Sequence, residues 1–261
     1  MCDTCGCHQH DLTDSNEPIT TNAAGRVELT VLKPLLNAND QQAAHNRAHC
    51  EQHGILVINL MSSPGAGKTS LLEATIDALA AELRIAVIEG DLETENDAQR
   101  IRAKGVAAVQ ITTGTACHLD ANMVHEALHR LDLNKIDLLL IENVGNLVCP
   151  ASFDLGQHRN VVLLSVTEGD DKPAKYPVMF RAADLVLITK TDLLPYCPEF
   201  QPARAAQALR HLATHSPCFQ LNTRSSAPDL TAWLNWLRAE QSALKQRLAL
   251  EPVHVRAHEH V

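Results

Sequence analysis

The sequence predicts an α/β fold in which helices cover both faces of a mostly parallel β-sheet. Two observations lead to this prediction. Continuous runs of Val, Ile and Leu recur along the 261-residue chain, and segments with apolar residues at helical spacing separate them. Strands that are apolar on both faces are typical of parallel sheets that helices bury from both sides. The second observation is a glycine-rich segment that follows one of these strands and opens a helix.

The predicted elements follow one another in the order strand, turn, helix. Short Val/Ile/Leu runs predict strands at residues 27–36, 55–60, 85–88, 107–111, 137–141, 161–167, 185–189 and 218–221. Helical spacing of apolar residues predicts helices at 39–53, 68–79, 97–104, 119–131, 174–182, 204–213 and 229–248. We therefore expect three parts: a mobile, metal-binding N-terminal tail at 1–25, a nucleotide-binding domain at 26–249 that starts with a strand–helix extension, and a His-containing C-terminal tail at 250–261.

Charge and composition exclude some classes of protein. The net charge of −9 argues against a nucleic-acid partner. No apolar run reaches membrane-spanning length, and the first residues lack the basic-then-apolar pattern of a signal peptide. We therefore expect a cytoplasmic protein with no membrane partner, in which the eight cysteines serve metal or thiol chemistry rather than disulfides.

The glycine-rich segment predicts a phosphate-binding P-loop. It reads Ser-Ser-Pro-Gly-Ala-Gly-Lys-Thr-Ser from Ser62, where the standard motif begins with glycine. Lys68 would contact the β- and γ-phosphates, and the Thr69 hydroxyl would bind Mg²⁺. The alternative is a glycine turn with an incidental lysine, but the strand before and the helix after it favour the P-loop. The candidate nucleotide contacts in this segment are Ser63, Gly65, Ala66, Gly67, Lys68, Thr69 and Ser70.

Carboxylates that follow two other predicted strands are candidates for a magnesium site. Asp91 and Glu142 come at the carboxyl ends of their strands, where ligands bind in open α/β sheets. With Lys68 they form the predicted catalytic set, and the alternative for each carboxylate is a turn or helix cap. Gly145, in the same loop as Glu142, would let a backbone N–H approach the γ-phosphate.

The segment Thr-Lys-Thr-Asp at residues 189–192 predicts a preference for guanine. The Asp192 carboxylate can accept two hydrogen bonds from the guanine edge, and the aliphatic stem of Lys190 can lie along the base. This segment resembles the Asn-Lys-x-Asp motif of GTPases, with threonine in place of asparagine. Asn222, which follows the next predicted strand, is a further candidate for the base pocket.

Two groups of Cys and His residues suit a transition metal. Cys2, Cys5 and Cys7 lie close together in the tail and would bind Ni²⁺, Zn²⁺ or Cu, unless they form a redox switch or an empty cysteine tail. Cys117, His118 and Cys149 give a second, incomplete set with two sulfurs and one nitrogen; the alternative is buried free cysteines. We interpret His45, His49 and Cys50 as helix-surface residues.

Taken together, these motifs resemble the hydrogenase nickel-incorporation GTPases (HypB), relatives of the urease accessory GTPases. The resemblance rests on the P-loop, on Glu89-Gly-Asp-Leu-Glu-Thr-Glu, on Cys117-His-Leu-Asp, on Glu142-Asn-Val-Gly-Asn-Leu-Val-Cys-Pro and on Thr189-Lys-Thr-Asp. It implies GTP hydrolysis, binding of Ni²⁺ or Zn²⁺ at Cys117, His118 and Cys149, and GTP-linked homodimers. We expect the hydrolysis to be slow, because the sequence reveals no arginine finger. It also implies nickel delivery to a hydrogenase large-subunit precursor with a hydrogenase accessory protein.

Two other classes stay open from the sequence. A urease- or cobalamin-type accessory GTPase would share the P-loop and the guanine motif. A metal-buffering protein would account for the cysteine tail but not for Lys68 or Asp192.

Overall fold

A seven-stranded parallel β-sheet forms the centre of the protein. The computed structural model describes residues 32–91, 96–114, 116–212, 216–224 and 228–250, with the side chains of the first helix described from Leu36 onward. The strands are β1 (Leu56–Ser62), β2 (Ile85–Asp91), β3 (Ala107–Thr112), β4 (Leu138–Glu142), β5 (Arg159–Ser165), β6 (Leu185–Thr189) and β7 (Cys218–Gln220). Every pair of neighbouring strands is parallel. The predicted fold class is confirmed.

The strand order places β1 at the centre of the sheet. The order is β3-β2-β4-β1-β5-β6-β7, so β1 lies between β4 and β5, and β4 lies between β1 and β2. The register sets Glu142 beside Leu60 of β1 and beside Glu89 of β2. The glycine-rich loop after β1 and the carboxylates of β2 and β4 therefore meet at one edge of the sheet, where parallel α/β folds bind ligands.

Eight helices accompany the sheet in the described ranges. They are α1 (Leu32–Gln52), α2 (Lys68–Leu79), α3 (Asn96–Arg102), α4 (Ala121–Leu128), α5 (Lys172–Lys175), α6 (Pro177–Arg181), α7 (Pro202–His211) and α8 (Thr231–Leu250). Successive side chains of β1 point to opposite faces, so Leu56, Ile58 and Leu60 pack with α2 and α8. Val57 packs with α1 and α4, and Met61 packs with α6 and α7. Burial on both sides explains why β1 is apolar along nearly its whole length.

The structure corrects three predictions about elements. Residues 32–36, predicted as the end of a strand, belong to α1; Pro34 is the third residue of this helix, where a missing backbone N–H does no harm. The helix predicted at 174–182 is broken into α5 and α6 between Tyr176 and Pro177. Tyr176 has φ −123° and ψ 57°, outside the helical region that a following proline disfavours. Cys50 is buried rather than on the helix surface.

The two predicted tails fall almost wholly outside the described residues. Cys2, Cys5 and Cys7 and the rest of the predicted segment 1–25 are not described, nor are residues 251–261. The helix α8 extends to Leu250, the first residue of the segment predicted as a C-terminal tail. Within the described ranges, no helix combines the length and the apolar character needed to cross a membrane.

Candidate functional site

The loop between β1 and α2 has the backbone geometry of an anion-binding site. Gly65 has φ 74° and Gly67 has φ 101°, a left-handed conformation that glycine adopts without strain. Gly67 caps the N-terminus of α2, whose first residue is Lys68. The free backbone N–H groups and the dipole of α2 therefore face the loop, and both favour a bound phosphate.

Lys68 is held at the start of α2 by two groups. Its Nζ donates to Ser62 Oγ at 3.2 Å and lies 3.9 Å from Glu142 Oε1. Ser62 in turn donates to the backbone carbonyl of Ser63 at 2.7 Å. Ser62, which departs from the standard motif, thus positions the lysine side chain in this structure. The Thr69 hydroxyl donates to the same Glu142 oxygen at 3.0 Å.

Two glutamates from neighbouring strands are buried next to the P-loop. Burial, together with repulsion from the Glu142 carboxylate, raises the pKa of Glu89 to about 8. Burial also raises the pKa of Glu142 to about 7, although Lys68 and Thr69 oppose this shift. Carboxyl groups with raised pKa values that face a cleft are typical of functional sites.

With Asp97 of α3 these glutamates form a group that suits a divalent cation. One oxygen each of Glu89, Asp97 and Glu142 lies within 4.8 Å of the other two. Oε2 of Glu89 and Oε2 of Glu142 are buried and have no hydrogen-bond partner among the described residues. Clustered carboxylate oxygens are the ligands that Mg²⁺ prefers, and its charge would offset their mutual repulsion. These residues therefore fit Mg²⁺. Asp91, a predicted ligand, lines the same cleft but is not one of these three.

The predicted guanine motif lies at the same edge of the sheet. Thr189 is the last residue of β6, and its hydroxyl donates to the backbone carbonyl of Ala66 in the P-loop at 2.7 Å. Lys190 has φ 58° and is the one non-glycine residue with positive φ among those described. Such strain at a non-glycine residue is found preferentially at functional sites. Asp192 follows in a 3₁₀ turn and is exposed.

A cavity of about 690 Å³ connects the P-loop, the carboxylates and the guanine motif. Ten predicted nucleotide, catalytic or magnesium residues line it, namely Gly65, Ala66, Gly67, Lys68, Thr69, Ser70, Asp91, Glu142, Lys190 and Asp192. Ser63 and Asn222 do not. Asn222 instead accepts a hydrogen bond from the Arg224 N–H at 2.9 Å, and Arg224 lines the cavity.

The sequence did not single out several lining residues. They include Glu89, Asp97, Arg100, Asn143, Thr223 and Arg224. Glu89 lies two residues before Asp91 on β2 and so faces the same side, but the predicted strand ended at residue 88 and did not include either residue. Asp97 and Arg100 are brought to the site only by the packing of α3, which no local pattern shows.

The structure brings Cys117, His118 and Cys149 together. Their ligand atoms lie within 4.8 Å of one another, with Cys117 Sγ 3.0 Å from Cys149 Sγ and 3.8 Å from His118 Nδ1. All three side chains are half-buried. The hydrogen bond with Cys117, together with burial, raises the pKa of Cys149. Burial lowers the pKa of His118. Two sulfurs and a neutral imidazole form a donor set that suits Ni²⁺ or Zn²⁺.

Two further residues, which the sequence did not indicate, fix this group in place. The His118 ring stacks on Phe153 with ring centroids 3.9 Å apart. Asn146 donates from Nδ2 to the backbone carbonyl of Cys117 at 3.3 Å, and its Oδ1 accepts from the Val148 N–H at 2.8 Å. Asn146 thereby ties the loop that carries Cys149 to the loop that carries the other two donors.

The loop at residues 142–149 reaches both the cavity and the Cys/His group. Asn143 and Gly145 line the cavity, and Asn143 is fully buried. Asn143 Oδ1 accepts from the Leu119 N–H at 3.3 Å, one residue after His118. A Cβ atom on Gly145 would lie 2.9 Å from the backbone of Pro64, so this loop packs tightly against the P-loop. A change at one site can therefore displace groups at the other.

These features define a P-loop nucleotide-binding protein. A glycine loop follows the central strand and opens a helix whose first residue is a lysine, and carboxylates lie on the neighbouring strands. The model of the CobW/HypB/UreG nucleotide-binding domain matches residues 56–220. The hydrogenase maturation factor HypB of Azotobacter vinelandii is 51% identical over 213 residues, which cover 82% of this chain and 70% of that protein. HypB of Escherichia coli K12 is 46% identical over 226 residues, with 85% and 77% coverage. The chain belongs to the HypB family.

Solved structures agree with this assignment. The crystal structure of HypB from Helicobacter pylori in complex with nickel has a TM-score of 0.75 at 43% identity, and the match covers 79% of this chain and 96% of that one. HypB from Archaeoglobus fulgidus has a TM-score of 0.73 at 36% identity, with 79% and 100% coverage. The parallel sheet and P-loop described above are therefore the architecture of the family.

Proposed function

We propose that this chain is a GTP-hydrolysing nickel metallochaperone that acts in hydrogenase maturation. The observation that carries the proposal is the loop 142–149, which lines the nucleotide cavity and ends at Cys149 of the S, N, S group. The relatives support it, since they are named hydrogenase maturation factors and one was crystallised in complex with nickel. The HypB names favour the hydrogenase branch over a cobalamin-type accessory GTPase, while two Helicobacter relatives are named hydrogenase/urease maturation factors.

In this proposal the P-loop binds GTP through its backbone and Lys68. The N–H groups around Gly65 and Gly67 and the lysine ammonium surround the β- and γ-phosphates and stabilise the charge that develops during hydrolysis. Bound Mg²⁺ would neutralise phosphate charge, and Thr69, Glu142 and Asp91 are its proposed protein contacts, with Glu89 and Asp97 adjacent. Lys68, Asp91 and Glu142 form the proposed catalytic set.

The base would be bound at the other end of the same cavity. Asp192 accepts hydrogen bonds from the guanine N1–H and N2 amino group, which adenine lacks at that edge. The stem of Lys190 lies along the base. Asn222 acts behind this pocket, through the turn that carries Arg224.

Nickel is the proposed cargo, and Zn²⁺ would fit the same donors. Cys117, His118 and Cys149 supply three ligands and leave a position open for a water molecule, a donor from a second copy or a receiving protein. Metal binding would release the thiol protons, because thiolates are the ligands. Cys2, Cys5 and Cys7 are a second proposed nickel site in the part of the chain that is not described.

Partners follow from the same arrangement. The three donors form an incomplete ligand set on a loop whose Val148 is 59% exposed, so a second copy could reach this site. We propose a GTP-linked homodimer through this face. This chain would act in the cytoplasm and deliver the metal to the hydrogenase large-subunit precursor, together with a hydrogenase accessory protein.

Replacing Lys68 by alanine tests the enzyme assignment. We expect GTP turnover to fall on the order of 10²–10³-fold, because a cation aimed at the reacting phosphate is lost. The fold should survive, since Glu142, left without its cation, has a raised pKa and can bind a proton. Lys104→Ala, which removes a surface lysine paired with Asp77, is the control and should keep wild-type turnover. If Lys68→Ala hydrolysed GTP at the wild-type rate, the proposal would be contradicted. If the wild-type protein bound Ni²⁺ but did not hydrolyse GTP, it would be a metal buffer.

A further inference from the structure

Five histidines gather where α1 packs against α4, at a place that the proposed function does not use. Two of them lie on α1 and a third in the turn that follows it, at four-residue intervals; a fourth lies on α4, and the last caps the C-terminus of α4 four residues later. They are His45, His49, His53, His125 and His129. Their ring centroids form a connected group with neighbour distances of 4.5 to 6.4 Å. None of them lines the nucleotide cavity or belongs to the Cys117 group. The sequence could not show this cluster, because about eighty positions separate His45 from His125, which pack against each other.

His125 and His129, at the C-terminal end of α4, are spaced like ligands of one ion. Their Nε2 atoms lie 3.0 Å apart and form a hydrogen bond that a shared metal ion would replace. Two nitrogens bound to one metal at ~2.1 Å, with a right angle between the bonds, are ~3.0 Å apart. The four-residue interval on a helix is the spacing that places two imidazoles on one face, as zinc-binding helices do.

A buried asparagine orients the first of these rings. Asn46 is 1% exposed, and its Nδ2 donates to the backbone carbonyls of Ala121 at 2.8 Å and Leu155 at 3.1 Å. Its Oδ1 therefore faces His125 Nδ1, at 3.1 Å. An amide oxygen only accepts, so Nδ1 of His125 carries the proton and Nε2 presents its lone pair towards His129. Metal-binding histidines are held in this way, by an acceptor at the nitrogen that does not bind the metal.

The cluster has a buried side and a side that faces solvent. Nδ1 of His49 is buried and has no hydrogen-bond partner in the described part of the chain. His129, by contrast, is exposed, so an ion can enter from solvent.

We infer that His125 and His129 form a two-histidine binding site for a divalent transition-metal ion such as Ni²⁺ or Zn²⁺, with water at the remaining positions of the ion. This site is separate from the two thiolate sites and goes beyond the proposed function. Imidazole binds both ions, but without thiolate the affinity should be lower and exchange faster. Such a site would collect metal from solution and release it readily.

The test uses the full chain, with the thiolate ligands silenced so that a weaker site becomes visible. In this background serine replaces all five cysteines proposed as ligands, namely Cys2, Cys5, Cys7, Cys117 and Cys149. Calorimetric titration with NiCl₂ alone, without nucleotide, is compared in the background and in the background carrying His129→Asn. We expect His129→Asn to weaken Ni²⁺ binding at one site by tenfold or more. His211→Asn, at the exposed end of α7, is the matched control and should change nothing.

A second measurement identifies the ligands directly. In the background protein, substoichiometric Ni²⁺, which is paramagnetic, should broaden the ring NMR signals of His125 and His129 before those of His211. The proposal is overturned if His129→Asn titrates like the background, or if these two rings are not among the first affected. His125→Asn should cause the same loss of Ni²⁺ affinity. Asn46 should stay in place in this variant, because its Nδ2 also donates to two backbone carbonyls. Because no nucleotide is present, the outcome is independent of GTP hydrolysis, and His129→Asn in the otherwise native chain should keep wild-type GTP turnover.

Discussion

At the scale of single residues, Asp192 is the side chain from which the choice of base can be argued. It is exposed at the start of the turn after β6 and lines the cavity that contains the P-loop. Thr189, the residue that departs from the GTPase motif, donates its hydroxyl to the Ala66 carbonyl. Threonine at position 189 therefore links the proposed base pocket to the P-loop through this hydrogen bond. The Asp192 carboxylate lies three residues later, where it can accept hydrogen bonds from a base in the cavity.

Asp192→Asn should change the preferred base. An amide offers one acceptor and its own donors, a pattern that suits xanthine and mismatches guanine. We expect GTP affinity to fall by about 10²-fold or more, because a site built around a hydrogen-bonded edge rejects a mismatched partner strongly. Xanthosine triphosphate should become the better ligand in competition against a fluorescent GDP analogue. Glu199→Gln, an exposed carboxylate outside the cavity, is the control. An unchanged preference for GTP over ATP would remove Asp192 from the base pocket.

At the scale of elements, the sequence predicted the strands better than the helix ends. The strand at 185–189 and the helix at 68–79 are found at the predicted residues, because the apolar run and the glycine loop mark their bounds. The start of α1 was predicted as strand, since a short apolar run is compatible with either structure and only tertiary packing decides. Proline at position 177 divides a predicted helix by restricting the residue before it, a local effect that could have been foreseen.

Gly145→Ala tests the packing between the 142–149 loop and the P-loop. A Cβ atom at this position would lie 2.9 Å from Cα and N of Pro64, so one of the two loops must move. We expect the affinity for a non-hydrolysable GTP analogue to fall about tenfold, which corresponds to the ~1–3 kcal/mol of an overpacked site. Isothermal titration measures this.

Gly105→Ala provides the matched control for that substitution. Gly105 has φ +82° and open space around its Cβ position, so alanine there costs stability through backbone strain alone. Its nucleotide affinity should equal that of the wild type. If Gly145→Ala also bound the analogue normally, the two loops would not be mechanically linked.

Asp137 should make stability depend on pH at the other end of the sheet. It accepts hydrogen bonds from the backbone N–H of Arg84 at 2.9 Å and from its guanidinium at 2.8 Å, next to the starts of β2 and β4. These bonds lower the pKa of Asp137 to about 2. A carboxyl group whose pKa is lowered on folding stabilises the protein above its unfolded pKa, and this contribution is lost as the pH falls through the folded pKa.

Asp137→Asn should therefore lower the free energy of unfolding by about 1 kcal/mol near neutral pH, a value reduced by solvent screening at this partly exposed pair. The difference from wild type should be constant between pH 7 and 5 and shrink below about pH 4. Urea unfolding at several pH values measures it. Asp171→Asn, which breaks an exposed pair with Lys175, is the control and should have a smaller effect. Equal effects of the two substitutions would contradict the argument.

At the scale of the whole molecule, the sequence predicted the fold class, and its motifs included ten of the residues that line the cavity. A P-loop, a strand-end carboxylate and a Cys-His pair are each visible in a few residues. What it could not show is which residues outside these motifs the fold brings close to them. Asp97 and Arg100 reach the cavity through the packing of α3, and the histidine cluster forms only because α1 lies against α4. The link from Asn146 to Cys117 likewise spans 29 positions.

That link bears on the central question of how GTP would control the metal. Asn143 and Gly145 line the nucleotide cavity, and Cys149 follows in the same loop. If the loop moves when the γ-phosphate is lost, Cys149 moves relative to Cys117 and His118, and the affinity for the metal changes. Linkage requires the reverse effect as well, because the metal must change nucleotide affinity by the same factor.

Cys149→Ala should remove this coupling. In a full chain whose Cys2, Cys5 and Cys7 are replaced by serine, we expect the Ni²⁺ dissociation constants measured with GDP and with a non-hydrolysable GTP analogue to differ by about 5–150-fold, the usual range of coupling between sites. In Cys149→Ala, binding at the remaining two donors should be weaker and the ratio should approach one. Cys197→Ala, a half-buried free cysteine outside both sites, is the matched control and should keep the wild-type ratio. Equal Ni²⁺ affinities in the two nucleotide states of the parent protein would refute the coupling, even if all three residues bind the metal, because a loop that moves one ligand cannot leave the affinity unchanged.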